Sequence, residues 1–84
     1  MITELLIEYF DLETEFFVGE INISQYDLAK INIICPPFYE ADWHYANGHE
    51  LDGEEFAKLK EFIKELEDMD FYRYSYSIQT RQIL

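Results

Sequence analysis

The sequence predicts an α+β domain: an antiparallel sheet of three or four strands with two helices on one face, in the order β-β-α-loop-α-β. Three observations lead there. Two runs rich in branched and aromatic side chains, Thr3 to Phe10 and Phe16 to Ile23, flank a short polar break, as in a hairpin. Asp52-x-x-Glu55 has the form of a capping box, and apolar residues follow it at helical spacing. Phe71 to Gln79 alternates strictly, as a half-buried strand does.

In chain order, Asp11-Leu12-Glu13-Thr14-Glu15 is the hairpin connection, and Gly19 inside the second run marks a bulge or a close backbone approach. Ser24-x-x-Asp27 reads as a helix start, with Tyr26, Leu28, Ile31 and Ile34 on one side. That helix must stop before Cys35, because Pro36 and Pro37 offer no backbone donor and push the preceding residue out of the helical region. Cys35 to Leu51 holds no period and is dense in aromatics, so it is expected as a long structured loop. Within it, Asn47-Gly48 is a turn signal that would pair Trp43 to Tyr45 with His49 to Leu51. A second helix of about 14 residues is expected to carry Phe56, Leu59, Phe62, Ile63 and Leu66 inward and Lys58, Lys60, Glu61, Lys64 and Glu65 outward. The last strand places Tyr72, Tyr74, Tyr76 and Ile78 on one face and Phe71, Arg73, Ser75, Ser77 and Gln79 on the other. It is expected to pair with the hairpin and to leave one sheet face open.

Residues 1–84 make one domain, because a chain this short buries only roughly 60 to 65% of its unfolded surface and has little room for an enclosed cofactor. Eighteen Asp plus Glu against six Lys plus Arg give a net charge of -12. Such a body repels the phosphates of nucleic acid and anionic membrane surfaces. At 49% hydrophobic and 18% aromatic it is no disordered acidic tail. No apolar stretch is long enough to span a membrane, and MITELLIEYF lacks a basic leader region, so a cytoplasmic site is expected. The single cysteine, Cys35, fits a reducing compartment and reads as a small buried hydrophobe.

Motifs for chemistry are weak. His44 and His49 stand in an acidic loop, but without the tight ligand pairs of zinc sites they read as surface or hydrogen-bonding residues. No serine or cysteine is tied to an oriented base, and neither an EF-hand nor a phosphate loop is present. The expectation is a protein that is not an enzyme and uses no cofactor. What stands out is acidity joined to aromaticity: Glu13, Glu15 and Glu20 lie in the first half, and Glu40, Asp42 and Glu50 crowd around Trp43 and Tyr45. A field of this sign steers a basic partner, and aromatic rings anchor it after docking.

Tyr9-Phe10-Asp11-Leu12-Glu13-Thr14-Glu15-Phe16-Phe17-Val18-Gly19-Glu20 resembles the first hairpin of cloacin-type bacterial immunity proteins, and Asp70-Phe71-Tyr72-Arg73-Tyr74-Ser75-Tyr76 resembles their aromatic last strand. The middle of the chain departs from that pattern, with a charged helix and a Pro-Pro loop containing Trp43. The chain is also similar to small proteins found beside polymorphic and contact-dependent toxins. The resemblance implies a small acidic cytoplasmic inhibitor that neutralises a basic nuclease toxin domain, an RNase above all, and protects the producing cell. It points to Asp11, Glu13, Glu15 and Glu20 as toxin-binding residues; the acidic and aromatic loop adds Glu40, Asp42, Trp43, Tyr45 and Glu50. Two alternatives stand beside it: a phage-type nucleic-acid mimic that inhibits restriction or CRISPR machinery, and a small metal-binding domain using His44 and His49. The strand Phe71 to Gln79 and the many tyrosines leave a homodimer open.

Overall fold

The computed structural model of the chain describes residues 2–83; the side chains of Ile2 and of the expected contact residue Glu40 lie outside the described residues. Among the described residues, strands β1 (Ile2–Asp11), β2 (Phe17–Asn22), β3 (His49–Glu50) and β4 (Tyr74–Ile83) form an antiparallel sheet in the order β2-β1-β4-β3. Helices α1 (Leu28–Ile34) and α2 (Gly53–Lys60) cover one face. The predicted α+β architecture therefore holds.

Alternation along β1 decides the layering. Leu5, Ile7 and Tyr9 face the helices, where Leu5 and Ile7 join Tyr76 and Ile78 of β4, Ile31 of α1, and Phe56 and Leu59 of α2 in one core. Each such side chain contributes roughly 1.5 to 3 kcal/mol by leaving water, offset by the entropy of ordering the chain. Glu4, Leu6, Glu8 and Phe10 take the opposite, open face. There Leu6 is only 3% exposed, between its cross-strand neighbours Asn22 and Gln79.

Gly19 acts in both predicted ways. The register slips between Tyr9 and Phe10, leaving Val18 as the extra residue of a bulge. A β-carbon on Gly19 would sit 2.7 Å from the Tyr9 hydroxyl, so only glycine fits without displacing that ring.

Elsewhere tertiary contacts overrule local spacing. The first helix begins at Leu28 and is capped by Asp27, whose carboxylate accepts the Ala29 N–H; Ser24 instead uses its hydroxyl to accept the Leu5 N–H at 2.9 Å. The capping box of Asp52 and Glu55 forms, but α2 is 8 residues long and ends at Lys60. After it, Ile63 and Leu66 still reach the core through an extended residue and a short 3-10 turn, while Phe62 turns onto Tyr26, ring centroids 5.8 Å apart. The expected pairing of Trp43–Tyr45 with His49–Leu51 does not form, because His49 and Glu50 pair with Ile78 and Ser77 of β4. Strand β4 starts only at Tyr74, since Asp70 ties the preceding residues into a turn through the Tyr72 N–H. Phe71 consequently packs against Phe56 and Tyr72 is exposed, the reverse of the predicted faces. The C-terminal strand lies inside the sheet, and the edge strands are β2 and the two-residue β3.

Candidate functional site

Two segments far apart in sequence, the first hairpin turn and β3, bring Asp11, Glu15 and Glu50 to the wall of one depression. Phe10, Asp11, Leu12, Glu15, Glu50 and Ser75 line a depression of about 270 Å³. Each arrives for a local reason. Alternation on β1 points Phe10 away from the core, and Ser75 is its cross-strand partner on β4. Glu50 follows from the pairing of β3, beside Ser77. The hairpin turn supplies the other two: Asp11 accepts the Glu13 and Thr14 N–H groups at 2.8 and 3.0 Å, an Asx turn that brings Glu15 round with φ 64°. Those two N–H bonds, from Thr14 and then Glu13, hold the Asp11 carboxyl below its ordinary range, so it is ionised at neutral pH.

The surroundings extend both signals. Glu8 and Glu20 face each other across β1 and β2 on the same side of the sheet, and Arg81 pairs with Glu20 at 2.8 Å and Glu4 at 3.1 Å. Leu12, Phe16, Phe17 and Val18 stand exposed around the hairpin, Phe16 at 74%. Phe17 meets Phe10 edge to face at 5.7 Å. The hollow thus combines carboxylates with a rim of exposed apolar side chains.

The other expected contact residues divide. Glu13 is exposed on the turn and Glu20 lies on the open face, tied to Arg81. Asp42 staples its own loop by accepting the Ala46 and Asn47 N–H groups. Trp43 is exposed, its ring tilted against that of His44 with centroids 5.0 Å apart, on the rim of a separate cleft of about 520 Å³ that also includes Leu5, Tyr26 and Thr80. Tyr45 is corrected outright: at 1% exposure its ring belongs to the core and its hydroxyl donates to the Cys35 carbonyl at 2.6 Å, so it presents nothing to a partner. The pairing of His44 with His49 is corrected as well. Among the described residues, the groups close enough to share a metal ion are Cys35, His49 and Glu55, and His44 is not with them.

Glu8 was not singled out in the sequence, although the alternation of β1 already put it on the open side with Glu4 and Phe10. The grouping of Cys35 with His49 and Glu55 left no local signal, because three separate segments supply it. No helix among the described residues is long and apolar enough to cross a membrane.

A small antiparallel α+β domain with an acidic hollow on its uncovered face is the class that fold and site define. The chain belongs to the family described as a domain of unknown function, DUF7683, whose model matches residues 4–79. No curated protein and no solved structure matches it.

Proposed function

We propose that this protein is an immunity-type inhibitor: a cytoplasmic, non-catalytic protein that binds a basic nuclease toxin domain, an RNase above all, and covers the surface that engages phosphates. The observation that carries this reading is the meeting of Asp11, Glu15 and Glu50 in one depression beside Phe10 and the exposed hairpin apolar residues. A hollow of that size and sign accepts a Lys or Arg side chain of the toxin, and Phe16, Phe17 and Leu12 exclude water around it. The net charge of -12 steers the approach, raising association rates by roughly 10 to 10³-fold at low salt. The sequence resemblance to cloacin-type immunity proteins supports the same partner class, and the first hairpin that carries it supplies Phe10, Asp11, Leu12 and Glu15 to the hollow.

Coexpression with the toxin encoded beside the gene tests the reading. The expected result is rescue of growth and a complex that survives moderate salt. Continued killing with no complex refutes it.

A further inference from the structure

Cys35, His49 and Glu55 come from three segments, the end of α1, β3 and α2, yet their ligand-capable atoms all lie within 4.8 Å of one another. Cys35 is fully buried and His49 is 6% exposed. His49 Nε2 lies 2.9 Å from Glu55 Oε2, whereas Nδ1 is buried without a hydrogen-bond partner. Glu55 Oε1 is engaged by the Asp52 N–H, so the capping box of α2 fixes the carboxylate with its other oxygen toward the imidazole. The rings of Phe38 and Tyr45 each sit 5.5 Å from that imidazole and form an apolar wall.

We propose that Cys35, His49 and Glu55 form a binding site for one zinc ion. The donor set of one sulfur, one nitrogen and one oxygen is that of zinc rather than of magnesium or calcium, which take oxygen. Charge balance agrees: a thiolate, a carboxylate and a neutral imidazole cancel a divalent cation, so the buried site carries no net charge. Ligand atoms around a tetrahedral zinc are about 3.3 to 3.6 Å apart, so on binding the widest separations in the cluster close to that range while the 2.9 Å contact of His49 with Glu55 opens by about half an ångström. In the binding step the thiol S–H breaks, its proton goes to solvent, and a sulfur–zinc bond forms with no change of oxidation state. A catalytic triad from the same residues is excluded by the full burial of Cys35, which keeps its sulfur from any substrate. The ion would clamp both ends of the loop between α1 and β3, the segment that carries the exposed Phe38, Tyr39 and Trp43.

Titration of the reduced full chain with cobalt(II), a spectroscopic substitute for zinc, tests the site. The expected outcome is one equivalent bound, a near-ultraviolet thiolate-to-cobalt charge-transfer band, and its bleaching by zinc. Zinc at about a hundred times its Kd should raise Tm by roughly 10 to 20 °C. Cys35→Ala should abolish the band. Because that change touches the core, Glu55→Gln serves as a second variant: it keeps the Asp52 N–H acceptor and should weaken binding by roughly tenfold or more. Absence of the band in the folded wild-type chain overturns the proposal, and so does an unchanged affinity in both Glu55→Gln and His49→Gln.

Discussion

Glu8 on β1 stands directly opposite Glu20 on β2, and the Arg81 guanidinium lies 2.8 Å from the Glu20 carboxylate. Like charges directly across a strand pair are destabilising, so this pair is not kept for the stability of the sheet. Glu8→Gln should therefore raise stability by roughly 0.2 to 1 kcal/mol, read from the urea midpoint with an unchanged slope. A loss of stability instead would mean that Arg81 already neutralises both carboxylates.

Tyr45 and Trp43, two residues apart, should separate fold from binding. Tyr45→Phe leaves the buried Cys35 carbonyl without its donor and should cost about 1 to 3 kcal/mol, with affinity for a partner unchanged once the folded fraction is accounted for. Trp43→Ala removes a half-exposed ring and should shift stability by no more than about 0.5 kcal/mol. The check is a pair of denaturation curves, and equal destabilisation by the two variants would contradict the placement of these rings.

Gly48 adopts φ 78°, and a β-carbon there would meet the Gln79 amide at 2.7 Å. Gly48→Ala should destabilise by about 1 to 2 kcal/mol, because the left-handed conformation is strained for any residue with a side chain. Thermal unfolding monitored by circular dichroism measures it, and a Tm equal to wild type would show that the turn relaxes freely.

Acid and alkali should act through different groups. Glu65 accepts the Tyr26 hydroxyl at 2.5 Å, which holds its carboxyl below the ordinary 4.5, as the Thr14 and Glu13 N–H groups hold Asp11 below 3.8. Depressed carboxylates add stability that is complete above their unfolded values and is lost as pH falls through the folded ones. At the other end, burial pushes the Cys35 thiol up from 9.0 to about 12 and Tyr76 up from 10.0 to about 12. Their neutral forms are favoured by folding, so that contribution is complete below the ordinary values and is lost as pH rises through the raised ones. The expected profile is a plateau between about pH 5 and 9 that falls on both sides. Stoichiometric reaction of Cys35 with a thiol reagent in the folded chain at pH 8 would contradict its burial.

The parts of this molecule that local pattern dictates were readable in advance. A run of branched and aromatic side chains located β1, alternation located β4 from Tyr74 to Gln79, Gly19 marked the bulge, and Asp52 with Glu55 marked the start of α2. The end of α2 was not readable, because helical spacing continues through Phe62 while its ring is claimed by Tyr26 and by Lys30, whose ammonium lies 4.5 Å from the ring centre. Strand β3 is two residues long, and its choice of β4 over the adjacent loop is a tertiary decision. The same decision buries His49 and turns Glu50 toward Asp11 and Glu15. Asp11, Glu15 and Glu50 were each visible as acidic residues in the sequence; their convergence follows from the sheet order.

The central claim is that this hollow receives a cationic side chain of a basic nuclease domain. Titration calorimetry of the neighbouring toxin domain with wild type and with the Glu15→Gln/Glu50→Gln double variant, at two salt concentrations, tests it most directly. Binding of wild type that weakens with salt, and a loss of roughly 2 kcal/mol or more in the variant, about thirtyfold in Kd, is the predicted result. Equal affinity of the two proteins for the toxin, or no binding by a folded wild-type chain, would contradict it.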